Sequence, residues 1–284
     1  VVPVGFIEVT VSKSNPEHPT TTKPRATSSK WLSIRRMLRM LWGTAWVVPP
    51  YYLGQFRYKT EAERIDLLYQ GTQDWLSAMA RAIEVDVTVI GSPPAKGSFI
   101  APNHTTYADI CVLPTATKVW FVSKADVLKW PLFNWLFKFS RNLTVDRDDI
   151  RCLRETNQAI AQRIQDGYNV CVFLEGTTSG GRDILPFRGP LLQPALDGGV
   201  DVVPVCITWH ADDPNIDHDE DLAYWRDHPM VPHVFRFLGF RGMHCTIQFG
   251  APIEAEGDRK ALAERVRAAV VALHESATGT PPTS

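Results

Sequence analysis

A histidine and an aspartate lie five positions apart in the segment NHTTYAD, residues 103–109. The neutral imidazole of His104 could take a proton from a hydroxyl group, and the carboxylate of Asp109 could fix its tautomer. On a straight helix this spacing turns the two side chains about 140° apart, so we expect them to meet only if a turn precedes a helix. On spacing alone, the alternative is that Asp109 begins a helix and His104 is a surface histidine.

A polar, glycine-rich loop follows an apolar run in the segment VCVFLEGTTSGG, residues 170–181. Such a loop presents backbone N–H groups and hydroxyls to a ligand, and glycine permits close approach. The loop lacks the Gly-Lys-Ser/Thr ending of a P-loop and the G-x-S-x-G turn of many hydrolases. Taken alone, the segment is also compatible with a plain surface loop.

A third candidate is Arg147, which follows the short apolar strand predicted in the segment NLTV, residues 142–145. A guanidinium group can bind a phosphate through two parallel hydrogen bonds. The alternative is an ion pair with one of the neighbouring aspartates, Asp146, Asp148 or Asp149.

Short apolar segments alternate with helical patterns in the rest of the chain. The predicted strands cover residues 85–90, 99–101, 119–122, 170–174, 202–207 and 245–249, and the clearest helices cover 61–83, 150–165 and 259–274. This alternation predicts an α/β domain with a mostly parallel central sheet flanked by helices. Ligands of such sheets gather beyond the carboxyl ends of strands, which is where the three candidate segments fall.

The segment 31–52 predicts an amphipathic helix that lies in a membrane interface. Its apolar run is shorter than the roughly 20 residues needed to span a bilayer, and Pro49-Pro50 are expected to stop the helix. We expect its arginines to meet anionic headgroups and its tryptophans to lie at headgroup depth. These residues are Arg35, Arg36, Arg39, Trp31, Trp42 and Trp46. The alternative is a helix that covers the domain's own core.

The composition narrows the remaining function classes. The net charge is −1, which gives no global field that would favour a nucleic acid partner. The five cysteines form no C-x-x-C pair, so neither structural zinc nor a disulfide framework is predicted. The acidic segment 210–221 also fails as the start of a calcium loop. In a loop counted from Asp213, His218 stands at the sixth position, which requires glycine, and Tyr224 at the twelfth, which requires glutamate. We therefore predict no metal site.

Four parts follow from these patterns. Residues 1–29 are predicted to be a disordered tail without an export signal, and residues 30–83 a membrane-associating helical segment. Residues 84–276 are predicted to form the catalytic domain, and residues 277–284 a second tail.

Four segments, in this order, resemble the motifs of the glycerolipid acyltransferases, specifically the bacterial 1-acylglycerol-3-phosphate acyltransferases. NHTTYAD resembles Asn-His-x-Ser-x-x-Asp, with Thr106 at the serine position, and Asp146-Arg147 resembles the end of the second motif. FLEGTTS at 173–179 resembles Phe-Pro-Glu-Gly-Thr followed by Arg-Ser or Thr-Ser, and VPV at 203–205 resembles the fourth motif. The resemblance covers about residues 80 to 255.

The resemblance implies transfer of a fatty acyl chain from acyl-CoA or acyl carrier protein to the free hydroxyl of a lysolipid, with 1-acylglycerol-3-phosphate as the main expected acceptor and phosphatidic acid as product. His104 would be the general base and Asp109 its partner. Arg147, Glu175, Gly176 and Thr177 would hold the acceptor. No cofactor or metal is implied, and the expected location is the cytoplasmic face of the cell membrane, peripheral or monotopic.

Two departures from the family pattern keep alternatives open. Leu174 replaces the usual proline, and Thr178 stands where many members carry an arginine that is thought to bind the acceptor's phosphate. The phosphate-free acceptor of the lyso-ornithine lipid acyltransferases is therefore the main rival within the class, although Arg182 or Arg188 could supply the missing charge. Outside the class, the rivals are a non-catalytic lipid-binding protein on the same fold and a thioesterase-like or lipase-like hydrolase.

Overall fold

The computed structural model describes residues 26–125, 136, 139–146, 149–226 and 228–279. Most of the predicted N-terminal tail, most of the predicted C-terminal tail and the candidate Arg147 lie outside the described residues.

Helices and strands alternate through the described chain, and every predicted strand and helix overlaps an observed one. The helices are α1 (Lys30–Gly54), α2 (Glu61–Ile83), α3 (Asp109–Ala116), α4 (Ile150–Gln165), α5 (Gln193–Gly198), α6 (Met230–Phe237) and α7 (Arg259–Thr278). The strands are β1 (Asp86–Ile90), β2 (Phe99–Pro102), β3 (Trp120–Lys124), β4 (Leu143–Val145), β5 (Val170–Cys171), β6 (Val202–Ala211) and β7 (Met243–Phe249).

The strands form a seven-stranded sheet in the order β1-β7-β6-β2-β5-β3-β4. Neighbouring strands are parallel except β6 and β7, which pair antiparallel along the whole of β7. The predicted α/β fold with a mostly parallel sheet is therefore confirmed. The chain reverses direction between β6 and β7, so β6, β2, β5 and β3 all end at the same edge.

Helices pack on both faces of this sheet. Apolar side chains of α2, α3 and α6 cover one face, where Ile100 of β2 and Val205 of β6 are fully buried. Side chains of α4, α5 and α7 cover the other face over Phe99 and Trp120. Because both faces are covered, the central strands carry near-continuous apolar runs.

The prediction that Pro49-Pro50 end the first helix is wrong, since α1 continues to Gly54. Prolines remove backbone hydrogen bonds from a helix, but packing along α2 holds this segment in place. Val48 is fully buried, and the Tyr51 ring lies so close to Gly71 of α2 that a Cβ there would come within 2.5 Å of it. The Tyr51 hydroxyl also donates to the Asp74 carboxylate of α2.

Three arginines of α1 converge on Glu84, the residue in left-handed conformation that ends α2. Arg36 is only 3% exposed, and its guanidinium also donates to the backbone carbonyls of Leu238 and Phe240. Burial raises the pKa of the Glu84 carboxyl, but the hydrogen bond from Arg36 and the charges of all three arginines together lower the pKa below its ordinary value. For Arg36 the predicted contact with lipid headgroups is wrong, because its side chain points into the domain.

The side of α1 away from the domain core and the turn after it present a row of exposed apolar side chains, which we call the apolar face. Its most exposed members are Trp31, Leu38, Leu41, Trp42, Trp46, Leu53 and Phe56, each at least 59% exposed. These residues recur at helical spacing along one side of α1. No helix in the described part of the chain combines the length and hydropathy needed to cross a membrane.

Replacing Arg36 with alanine should lower the free energy of unfolding by about 2–4 kcal/mol, because two buried carbonyls lose their side-chain donor and Glu84 loses one of its three arginine partners. Arg39, which also pairs with Glu84 but is 52% exposed, is the matched control, and Arg39→Ala should cost less than about 1 kcal/mol. Urea denaturation followed by tryptophan fluorescence measures both variants. Equal losses would contradict the special burial of Arg36.

Candidate active site

The first candidate segment begins where β2 leaves the sheet. The side chain of Asn103 continues the pairing of β2 with β6, since its Nδ2 donates to the carbonyl of Ile207 at 3.0 Å and its Oδ1 accepts from the Ile207 amide at 2.7 Å. Asn103 is fully buried. This amide locks the end of β2 to its neighbour and thereby fixes the position of the next residue, His104.

A tight turn then brings His104 and Asp109 together. Asp109 is the first residue of α3, and its Oδ2 accepts the backbone amides of Thr105 at 2.7 Å and Thr106 at 2.9 Å. The same oxygen lies 2.9 Å from Nδ1 of His104. The predicted meeting of the two side chains through a turn before a helix is confirmed.

The second oxygen of Asp109 has a partner that the sequence analysis did not identify. Oδ1 accepts a hydrogen bond from Nε1 of Trp209 on β6 at 2.7 Å. Asp109 is fully buried, so its charge depends on these four donors instead of water. The period-two pattern of β6, which places Trp209 on the same face as Val205 and Ile207, could have indicated a buried indole in need of an acceptor.

The imidazole of His104 is held on one side and open on the other. Its ring stacks on Phe173, with centroids 3.9 Å apart and an interplanar angle of 20°. Because a carboxylate accepts at Nδ1, the proton of the neutral ring lies there and the lone pair lies on Nε2. No described residue makes a hydrogen bond to Nε2, and the side chain is 15% exposed. The geometry therefore provides a base that can accept a proton from a bound hydroxyl.

The glycine-rich segment holds the backbone of His104 on both sides. The His104 amide donates to Oε1 of Glu175 at 2.6 Å, and its carbonyl accepts from the Ser179 amide at 2.8 Å. Oε2 of Glu175 accepts the Leu185 amide at 3.0 Å. Glu175 is 2% exposed, and its hydrogen-bond partners among the described residues are these two amides. The contact of Glu175 with the acceptor stays a prediction.

Burial dominates the titration of Glu175. It raises the pKa of this carboxyl to about 8, while hydrogen bonds from the two amides oppose that rise. On α7, Arg267 donates to the carbonyls of Ile184 and Leu185. The C-terminal helix therefore holds the loop that holds Glu175.

The other residues predicted to bind the acceptor are Gly176, Thr177 and Arg147, and the structure describes the first two. Gly176 has a φ of +80° and closes a turn onto the Phe173 carbonyl, while Thr177 is exposed beside it. Arg147 lies outside the described residues. Arg182, a candidate replacement for the missing arginine, forms an ion pair with Asp219 at 2.9 Å.

Within the described residues, no hydroxyl or thiol group makes a hydrogen bond to the His104 ring, whose hydrogen-bond partner is Asp109. Burial raises the pKa of the Cys111 thiol, two residues after Asp109, to about 12, so this thiol stays protonated and unreactive at neutral pH. Nor does the described part of the chain contain three or more side chains grouped so as to hold a metal ion.

Comparison with known proteins agrees with this arrangement. The model of the Acyltransferase family matches residues 75–208, which include both segments around His104. A lyso-ornithine lipid O-acyltransferase of Pseudomonas aeruginosa is 34% identical over 203 residues, covering 70% of this chain and 76% of the relative. A 1-acyl-sn-glycerol-3-phosphate acyltransferase of Neisseria gonorrhoeae is 29% identical over 114 residues, covering 40% and 45%.

A solved structure shares the fold. It is the crystal structure of the 1-acyl-sn-glycerophosphate acyltransferase PlsC from Thermotoga maritima, with a TM-score of 0.59 and 21% sequence identity. The match covers 85% of this chain and 97% of that protein.

Glu175→Gln should change how stability depends on pH. With its pKa raised from 4.5 to about 8, Glu175 binds a proton in the folded protein that the unfolded chain has already released. The free energy of unfolding should therefore fall as pH rises between these values, and that contribution should be absent from the variant. Urea denaturation from pH 5 to 9 measures the two slopes. Glu256→Gln, at an exposed glutamate, should keep the wild-type slope, and an unchanged slope in Glu175→Gln would refute the assignment.

Proposed function

The chain belongs to the acyltransferase family, and we propose that it moves a fatty acyl chain from a thioester to the free hydroxyl of a lysolipid. The observation that supports this mechanism best is the 2.9 Å contact between His104 Nδ1 and the buried Asp109 carboxylate, with Nε2 left open. An alcohol is a weak nucleophile until a base removes its proton, and this pair provides that base.

The proposed reaction is a direct transfer. The acceptor's oxygen attacks the thioester carbonyl carbon while His104 Nε2 takes the hydroxyl proton. Asp109 stabilises the resulting imidazolium through Nδ1. Collapse of the tetrahedral intermediate breaks the carbon–sulfur bond, and the leaving thiolate takes the proton from Nε2. Acyl-CoA and acyl carrier protein both present such a thioester.

The residues around His104 and Asp109, which we call the dyad, have two proposed roles. Glu175 and Ser179 hold the His104 backbone, so Glu175 acts on the base. Gly176 and Thr177, on the open side of the loop, contact the acceptor's headgroup, and Arg147 contributes a positive charge to it.

We propose a phosphate-free amino-acid lysolipid, lyso-ornithine lipid, as the preferred acceptor. The Pseudomonas aeruginosa relative is named for this acceptor, and it is 34% identical to this chain over a match that covers 70% of the chain. Thr178 cannot provide the charge of an arginine, and the positive charge of Arg182 is already balanced by Asp219. An amino-acid headgroup with both an amine and a carboxylate suits a neutral Arg182–Asp219 pair better than a phosphate does.

The second candidate acceptor is 1-acylglycerol-3-phosphate, for which the Neisseria gonorrhoeae relative is named. The residue that supports it is Arg147, because guanidinium groups bind phosphate well. The two acceptors differ in headgroup charge and are therefore separable by assay.

We further propose that the apolar face of α1 rests in the cytoplasmic surface of the cell membrane. Exposed tryptophans such as Trp42 and Trp46 suit the boundary between headgroups and acyl chains. Peripheral attachment through this face would let a lysolipid reach His104 while its acyl chain stays in the bilayer.

Purified protein should release free thiol from acyl-CoA or acyl carrier protein only when a lysolipid is present, and lyso-ornithine lipid should give the highest kcat/KM. Labelled product on thin-layer chromatography identifies the acylated lipid. A clear preference for 1-acylglycerol-3-phosphate would overturn the proposed acceptor. Equal thiol release with and without acceptor would instead indicate a hydrolase.

His104→Ala should lower kcat by about 100-fold or more, because general-base catalysis contributes roughly 10²–10⁴-fold. The matched control is His244→Ala. The ring of His244 bonds Asp212 and belongs to neither candidate segment, so this variant should keep wild-type kcat. A His104→Ala protein with wild-type kcat would refute the base assignment.

Binding to vesicles should depend on the apolar face. The double variant Trp42→Ser, Trp46→Ser should bind vesicles of mixed phosphatidylcholine and phosphatidylglycerol about tenfold or more weakly in flotation, since it removes two exposed indoles from the face. Ile150→Ser, at a 75%-exposed residue on α4, is the control and should bind like wild type. Unchanged binding of the double variant would show that membrane attachment does not use this face.

A further inference from the structure

The indole of Trp209 completes the dyad from a neighbouring strand. Its Nε1 donates to Oδ1 of Asp109 at 2.7 Å. Oδ2 takes the bond from His104 and both backbone amides. Within the described residues, Trp209 is therefore the one donor to Oδ1, and it sits on the opposite side of the carboxylate from the histidine.

The indole is itself held firmly. Trp209 is 4% exposed, and its backbone lies opposite Cys245 in the antiparallel pairing of β6 with β7. Its ring packs edge to face on the fully buried Phe237, with centroids 5.7 Å apart. Two residues earlier, Ile207 is locked to Asn103. The N–H group is thus fixed relative to His104 before any substrate binds.

We propose that Trp209 is a positioning residue for the acyl transfer. This inference rests on the proposed role of His104 as base. With the indole in place, both carboxylate oxygens have donors, and the plane of the carboxylate aims Oδ2 at His104 Nδ1. Without the indole, the buried Oδ1 of Asp109 has no hydrogen-bond donor among the described residues. The carboxylate can then lower the free-energy cost only by rotating, by taking a proton or by admitting water. Each response weakens the bond that stabilises the imidazolium.

Trp209→Phe should therefore lower kcat about 10- to 100-fold, as loss of one charge-assisted hydrogen bond predicts. The KM values for thioester and lysolipid should change less than twofold, since Trp209 touches neither substrate in this scheme. In proton NMR, the downfield signal of the His104 Nδ1 proton should shift or broaden. Wild-type kcat with an unchanged signal would overturn the proposal.

Two tryptophans provide matched controls. Trp120 on β3 is fully buried, and no described residue makes a hydrogen bond to its Nε1, so Trp120→Phe tests loss of indole packing without loss of a hydrogen bond. Trp75 on α2 donates to Thr44 Oγ1 at 2.9 Å, so Trp75→Phe tests loss of an indole hydrogen bond elsewhere. Both should keep wild-type kcat and the imidazole signal. A comparable fall of kcat in either control would indicate general loosening of the fold and would count against the proposal.

A second variant separates the N–H group from the shape of the ring. Benzothienylalanine, introduced at position 209 by suppression of a stop codon, keeps the bicyclic ring and replaces N–H with sulfur. It should reproduce the kcat loss while keeping the packing of the bicyclic ring against Phe237, so it tests the hydrogen bond even if Trp209→Phe fails to fold. Wild-type kcat in this variant would refute the role of the hydrogen bond.

Failure of this inference is distinguishable from failure of the proposed function. If His104→Ala is inactive and the benzothienylalanine variant is fully active, the base assignment survives and the role of Trp209 does not. If His104→Ala itself retains wild-type kcat, the proposed mechanism fails first.

Discussion

The candidate site depends on one buried carboxylate. Asp109 is cut off from water, and an ionised group in that position is tolerated only if hydrogen bonds replace its hydration. Its four donors come from the turn after β2, from the imidazole and from β6. Three of these donors lie in the turn at residues 104–106, which is why a spacing that fails on a straight helix works here. The fourth lies on β6, so the carboxylate has its full set of donors only once the sheet has formed.

The two candidate segments are one hydrogen-bonded unit, although about 70 residues separate them in sequence. Glu175 and Ser179 fix the backbone of His104, so the orientation of the ring is set by both the segment 103–109 and the glycine-rich segment 170–181. Arg267 extends this support to the C-terminal helix, beyond the 75–208 match to the family model. The preorganisation of the site is therefore a property of the whole domain.

The sequence was informative wherever the deciding interactions are local or periodic. Alternating apolar segments were sufficient to predict the α/β sheet, and residue chemistry was sufficient to select His104 and Asp109. Prediction from the sequence failed where a residue far away in the chain decides the local structure or the hydrogen-bond partner. Packing against α2 carries α1 past Pro49-Pro50, and the partners of Glu175 are amides that only the folded chain brings to it. Trp209 lies 100 positions from Asp109, so no spacing rule could pair them.

Hydrogen bonds and ring packing around α6 connect the His104–Asp109 pair to the apolar face of α1. At the start of α1, Ser33 donates to the Phe235 carbonyl and Arg36 to the Leu238 carbonyl, both near the end of α6. Phe237 of α6 then packs against Trp209, the donor to Asp109. The short helix α6 therefore contacts both parts of the proposed machinery. It holds the start of α1, which carries the apolar face, and it packs against Trp209, which bonds the Asp109 carboxylate. A lysolipid held in the interface would present its hydroxyl at a depth set by the bilayer, so a rigid link of this kind is what lets a single histidine meet that hydroxyl repeatedly in the same geometry.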